Sequence, residues 1–82
     1  MRDEAIRIPA QLGSLLRSER LSKKLTQAQV GAQLGISVQA LSKLERDASR
    51  VSFERIHQLC QVLGMEMFLR SRTSPNSSEG GW

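Results

Sequence analysis

The stretch from Thr26 to Asp47, TQAQVGAQLGISVQALSKLERD, holds two short helical patterns separated by a glycine. Thr26 and Gln29 fit a capping box, in which the threonine hydroxyl accepts from the third helical N–H and the glutamine reaches back. Gly35 is a typical helix stop, because glycine readily adopts the left-handed conformation found there. Ser37 then stands where it can cap a second helix. Two short helices joined by a tight turn with glycine predict a helix-turn-helix.

Helices are also predicted on both sides of this unit. Before it, Leu12, Leu16 and Arg20 are spaced by four residues and share one helix face, which places a helix at about residues 9–23. After it, a last helix is predicted over about residues 52–64. Its apolar residues follow the spacing i, i+3, i+4 and i+7 of a buried helix face: Ile56, Leu59, Cys60 and Leu63.

Residues 65–71 differ from the helical part, because apolar and polar residues tend to alternate there. This alternation predicts a single β-strand. One strand alone leaves its hydrogen-bond ladder unpaired and exposes an apolar edge. We therefore expect it to pair with the same strand of a second copy in a homodimer. The residues assigned to this dimer contact are Met65, Met67, Phe68 and Leu69, although Phe68 breaks the alternation.

The chain is thus divided into four segments. They are an N-terminal arm (1–8), a helix-turn-helix domain (9–64), a dimerisation strand (65–71) and a flexible tail (72–82). The tail is expected to be flexible because it is rich in Ser, Pro, Asn and Gly. The fold class predicted from these segments is mainly α, with one C-terminal β-strand.

Composition limits the class of protein. The 82 residues make one domain with a net charge of +4, and the whole positive excess lies in residues 1–50, which favours a polyanionic partner such as nucleic acid. One cysteine and one histidine are too few for a disulfide framework or a structural zinc site. There is no apolar run of membrane-spanning length, and the chain opens on acidic residues rather than a signal core. We therefore expect a cytoplasmic protein.

An enzyme is not expected. The sequence has no glycine-rich phosphate loop, no paired-carboxylate arrangement and no metal-ligand cluster. His57 and Cys60 are three residues apart, but Cys60 lies on the apolar stripe of its helix, where it is a small core residue. We assign no catalytic residue, no metal and no cofactor.

The sequence resembles the Cro/C1-type (XRE) family of bacterial and phage DNA-binding proteins from about residue 12 to residue 63. The motif that carries the resemblance is Leu25-Thr26-Gln27, Val30-Gly31, Leu34-Gly35-Ile36-Ser37 and Leu41-Ser42-Lys43-Leu44-Glu45. The resemblance implies a compact helical lambda-repressor-like DNA-binding domain of four to five helices. Two departures from the family are Lys24, where the family often has glycine, and the loop 47–51, which lacks the glycine or proline frequent there.

The resemblance also implies a mode of DNA recognition. The helix after Ser37 would lie in the major groove, where base edges can be read. Gln39 can bond to adenine or guanine, Ser42 can serve either base, and Val38 can touch a thymine methyl. The alternative is that each of these residues simply belongs to an ordinary solvated helix face without a role in binding. Together, the DNA-binding residues implied are Gln27 at a phosphate, and Ser37, Val38, Gln39, Ser42, Lys43 and Arg46 on the recognition helix.

Two charged residues lie on otherwise apolar helix faces, Arg20 and Glu45. In similar domains the matching positions form a partly buried ion pair that joins the first and third helices. The alternative is that each side chain reaches outward to solvent over the apolar surface.

Within the family, the expected strand and a tail that ends in Trp82 resemble HipB-type antitoxins. That likeness implies a homodimer that binds a palindromic operator, represses its own operon and neutralises a HipA-type serine/threonine kinase toxin. Tryptophan is favoured at binding hot spots, so Trp82 is a candidate toxin contact, unless it is a terminal residue without a role. The alternative is a phage-type or restriction-modification controller repressor without a toxin partner.

Overall fold

The computed structural model of the protein describes residues 3–72, and within them the chain forms four α-helices. These are α1 (Ala10–Ser22), α2 (Gln27–Leu34), α3 (Val38–Arg46) and α4 (Phe53–Leu63), with a short 3-10 helix, Ala48–Arg50, between α3 and α4. None of the helices in the described part of the chain is long and apolar enough to cross a membrane.

The caps predicted around the helix-turn-helix are confirmed. The Thr26 hydroxyl accepts from the backbone N–H of Gln29 at 3.0 Å, and the Thr26 N–H donates to the Gln29 side chain at 2.8 Å, which completes the capping box. Gly35 ends α2 with φ +75°, in the left-handed region. The Ser37 hydroxyl accepts from the N–H of Ala40 at 3.0 Å and so begins α3.

The core lies where the four helices meet. The large side chains that are almost fully buried come from every helix: Leu16, Val30, Leu41, Leu44, Leu59 and Leu63. Ile56 and Cys60 complete the predicted stripe of α4. The helix-turn-helix is therefore held against α1 and α4 by apolar packing, which supplies the main driving force for folding.

The predicted C-terminal strand, and its pairing across a homodimer, are wrong. Residues 65–72 follow α4 without regular secondary structure. The Met65 N–H donates to the Cys60 carbonyl at 2.8 Å, so this residue belongs to the end of the helix rather than to a strand. Met67, Phe68 and Leu69 are exposed, Leu69 almost completely. A strand needs a neighbouring strand for its hydrogen bonds, and residues 3–72 provide none.

The structure describes most of the N-terminal arm but almost none of the predicted tail. In the N-terminal arm, residues 3–8 have no regular secondary structure, and the Gln11 side chain accepts from the N–H of Arg7 at 2.6 Å and of Ile8 at 2.9 Å. These bonds set the direction in which the chain enters α1. In the predicted tail, residues 73–82, including Trp82, lie outside the described residues.

Candidate nucleic-acid interface

The two sides of α3 have different surroundings. Leu41, Leu44 and Glu45 are buried against the rest of the domain. The residues of the opposite side are exposed, and Val38 is 42% accessible: Val38, Gln39, Lys43 and Arg46. Ser42 lies between the two sides and is half-buried. The predicted DNA-reading residues of α3 therefore share one surface, with Ser42 at its edge.

The polar groups on this surface are available to bind a ligand. Among residues 3–72, the Gln39 side chain forms no hydrogen bond and Lys43 has no acidic partner. Arg46 donates from Nε to the Ser42 carbonyl at 3.4 Å, which leaves the two terminal nitrogens of its guanidinium open. The Ser37 hydroxyl oxygen caps α3, but its own hydrogen can still donate. Amide, ammonium and guanidinium groups in this array match the acceptors of base edges and phosphates.

Negative charge near the surface is neutralised by pairing. Asp47, just after α3, forms an ion pair with Arg50, whose Nε lies 3.2 Å from Oδ2. A hydrogen bond from the Ser49 hydroxyl, helped by the charge of Arg50, lowers the pKa of the Asp47 carboxyl. Asp47 is therefore ionised at neutral pH but lies against a cation. Among residues 3–72, Lys43 and Arg46 form no ion pair, and their positive charge favours a polyanion.

Arg20 and Glu45 form a buried ion pair between α1 and α3. Arg20 Nε lies 2.7 Å from Glu45 Oε2 and Nη2 lies 3.1 Å from Oε1, while the two side chains are only 7% and 3% exposed. The remaining terminal nitrogen of Arg20 donates to the Leu25 carbonyl at 2.9 Å, just before α2. The pair therefore joins α1 and the loop before α2 to the buried side of α3.

Gln27 belongs to the same network. Its Nε2 donates to Glu45 Oε1 at 3.0 Å, so the side chain expected at a DNA phosphate is also bound to the ion pair. The Gln27 side chain is half-buried at the first position of α2, where unpaired backbone N–H groups favour an anion. Gln27 thus lies at the surface and at the same time contacts the group that holds α3.

Two glycines position α3, although neither was predicted from the sequence to have a role. A β-carbon at Gly13 in α1 would collide with the backbone carbonyl of Glu45 and lie 3.1 Å from the Leu44 carbonyl oxygen. A β-carbon at Gly31 in α2 would lie 2.8 Å from the Ile36 carbonyl oxygen. The signal in the sequence was a glycine inside a helical pattern, which lowers helix stability and commonly has a packing reason.

Lys24, the position where similar sequences often have glycine, has a left-handed backbone conformation. It has φ +58° and is the only non-glycine residue with positive φ in the described part of the chain. The left-handed conformation that would favour glycine is therefore present at the turn between α1 and α2.

His57 and Cys60 do not form a reactive pair. Cys60 is buried, and this burial raises the pKa of its thiol, which disfavours the reactive thiolate. His57 is exposed at the surface of α4, and its ring stacks on Phe53. Among the described residues no cluster of three or more potential metal ligands is found.

The fold and the exposed side of α3 define a helix-turn-helix protein. The family model described as a helix-turn-helix domain matches residues 11–72, and the chain belongs to this family. It is also similar to uncharacterised HTH-type transcriptional regulators of Sinorhizobium medicae (strain WSM419) and Rhizobium meliloti (strain 1021). Each is 27% identical over 73 residues, which cover 89% of this chain and 52% of the relative. The chain thus spans about half the length of these relatives.

Proposed function

We propose that this protein is a sequence-specific DNA-binding transcriptional regulator in which α3 enters the major groove. The observation that carries the proposal is the division of α3 into a buried side, fixed by Glu45 and two leucines, and an exposed side whose polar groups have few intramolecular partners. The names of the related proteins, HTH-type transcriptional regulators, support the same function.

Each residue of the surface has a proposed role that follows from its chemistry. Gln39 and Ser42 hydrogen-bond to base edges, and Val38 contacts a thymine methyl. Lys43 and Arg46 bind phosphates or bases. Gln27 and Ser37, at the N-termini of α2 and α3, bind phosphates, because helix N-termini favour anions.

We propose further that two copies bind one operator as a homodimer. The nine residues of α3 extend about 13 Å, which is roughly four base pairs. Four base pairs are too few to single out one site among the many competing sequences of a genome. Two copies related by a twofold axis would read a palindrome with half-sites about 34 Å, or one helical turn, apart.

The narrower hypothesis is that the regulator is a HipB-type antitoxin. The likeness that suggested it rested on the strand expected after α4 and on the tail; residues 65–72 form no strand, and Trp82 lies outside the described residues. The helix-turn-helix fits this hypothesis and its alternative equally well. Copurification from the native host tests it: an antitoxin copurifies with a serine/threonine kinase in a fixed ratio. A phage-type or restriction-modification controller repressor would be isolated without such a kinase.

The experiment that tests DNA binding is selection from a randomised duplex library, followed by footprinting of the enriched sequence. We expect a palindromic footprint and an affinity that falls steeply as salt rises, since phosphate contacts release counterions. A single unpaired half-site would contradict the homodimer. Failure to enrich any sequence, while random duplexes are still bound, would contradict sequence-specific recognition.

A further inference from the structure

The end of α2 is held by more than its glycine cap. A helix leaves its last four carbonyls without partners inside the helix. At the end of α2, the Ile36 N–H donates to the Gly31 carbonyl at 2.9 Å and the Gly35 N–H to the Ala32 carbonyl at 3.3 Å. The Leu34 carbonyl takes its partner from α4, since Arg55 Nη1 donates to it at 3.2 Å.

Arg55 is itself held in place on α4. Its backbone N–H donates to the Ser52 hydroxyl at 3.1 Å, which begins the helix, and its guanidinium donates to Gln58 Oε1 at 3.3 Å. The residue is half-buried. A cation at the C-terminal end of α2 is also favoured by the partial negative charge of that helix end.

Arg55 and Arg20 act on opposite ends of α2. Arg20, from α1, donates to the Leu25 carbonyl just before α2, whereas Arg55, from α4, donates to the Leu34 carbonyl at its end. The turn after Leu34 leads directly into α3. Because the Ile36 N–H is already bonded to the Gly31 carbonyl across this turn, a shift of the Leu34 carbonyl has little room to be absorbed before α3 begins.

We propose that Arg55 is a positioning residue for DNA recognition: it fixes the turn between α2 and α3, and thereby the entry of α3 into the groove, without itself contacting DNA. This inference deepens the proposed function and rests on it for its DNA-binding consequence. The hydrogen bond by which Arg55 holds the turn is present in the free protein and does not depend on DNA.

The test compares Arg55→Gln with the matched control Gln58→Ala, which removes the other partner of the guanidinium but keeps the bond to Leu34. The first readout is hydrogen exchange in the free protein. We expect Arg55→Gln to accelerate exchange of the Gly35 and Ile36 amides by about tenfold, the effect of 1.4 kcal/mol, relative to the Leu59 amide in the core. Gln58→Ala should leave this ratio unchanged, and Arg55→Lys should restore part of the protection.

The second readout is binding to the enriched duplex and to a scrambled duplex of the same composition, at several salt concentrations. We expect Arg55→Gln to lower the preference for the enriched duplex by about tenfold with an unchanged salt slope. A slope reduced by about 0.9 would instead identify Arg55 as a phosphate contact and overturn the proposal.

Failure of this inference and failure of the proposed function are distinguishable. Unchanged exchange at Gly35 and Ile36 in a folded Arg55→Gln variant overturns the inference, whatever the DNA result. If the wild-type protein enriches no duplex but Arg55→Gln still accelerates exchange of the Gly35 and Ile36 amides, the proposed function fails. The role of Arg55 in fixing the turn is then still supported. If Arg55→Gln does not fold, Arg55→Met, which cannot donate to the Leu34 carbonyl, is measured against Gln58→Ala by the same exchange ratio, and equal ratios overturn the inference.

Discussion

Glu45→Ala probes the contact that joins α3 to the rest of the domain. The substitution removes both carboxylate oxygens that accept from Arg20, at 2.7 and 3.1 Å, and one of these, Oε1, also accepts from Gln27. The Arg20 side chain, 7% exposed, is left with the Leu25 carbonyl as its remaining partner. The variant therefore keeps a buried cation and removes the anion that neutralised it.

The expected cost follows from that buried charge. Removing one partner of a buried ion pair costs about 3–5 kcal/mol, and the bond to the Leu25 carbonyl places this variant near the lower end, at about 3 kcal/mol. A domain of this size has a total stability of only about 4–12 kcal/mol. At 4–8 °C for each kcal/mol, the melting temperature should fall by about 12–24 °C.

Urea unfolding followed by circular dichroism measures this change. The matched control is Asp47→Ala, which breaks the ion pair with Arg50 on the surface and should leave the midpoint nearly unchanged, because exposed pairs contribute little. The double variant Arg20→Met, Glu45→Leu should recover most of the loss, since it leaves no buried charge unpaired. If Glu45→Ala is no more destabilising than Asp47→Ala, the reasoning is refuted.

Three further substitutions test other parts of the fold. Gly13→Ala should lower the free energy of unfolding by about 1–3 kcal/mol, because its β-carbon would meet the Glu45 carbonyl; a more stable variant, as helix propensity alone predicts, would contradict the close approach. Lys24→Gly should raise the free energy of unfolding by up to about 1 kcal/mol, since it relieves a left-handed conformation; a lower urea midpoint than that of the wild type would contradict this. Burial raises the pKa of the Cys60 thiol, so the unfolded chain ionises first and stability should fall as pH rises through the ordinary range of a cysteine. Cys60→Ala should lack this component of the pH dependence, and an identical pH profile in the variant would contradict it.

The helix-turn-helix was predictable because its signals are local. A capping box at Thr26 and a glycine stop at Gly35 act within a few residues, so the sequence shows both partners of each contact together. The conformation of residues 65–71 was not predictable in this way, and the alternation of apolar and polar residues there wrongly predicted a strand. Alternation describes one strand, whereas the partner that a strand needs lies elsewhere in the chain or in another molecule.

The contacts that hold α3 depend on distant residues. Arg20 and Glu45 are 25 positions apart, and family resemblance rather than spacing suggested their pairing. The hydrogen bond from Gln27 to Glu45 was not foreseen, because an amide at a helix start is equally suited to a phosphate. Arg55 carries no signal in the sequence, since an arginine on the polar side of a helix is most often solvated.

Gln39→Ala decides whether the exposed side of α3 reads base pairs. Its control is Gln33→Ala, an exposed glutamine of α2. On the enriched duplex we predict that Gln39→Ala weakens binding by roughly 1–3 kcal/mol and relaxes sequence preference at one position, while binding to a scrambled duplex hardly changes. Gln33→Ala should bind both duplexes like the wild type. Equal weakening by Gln39→Ala on the two duplexes, or no weakening on either, would contradict base reading by α3.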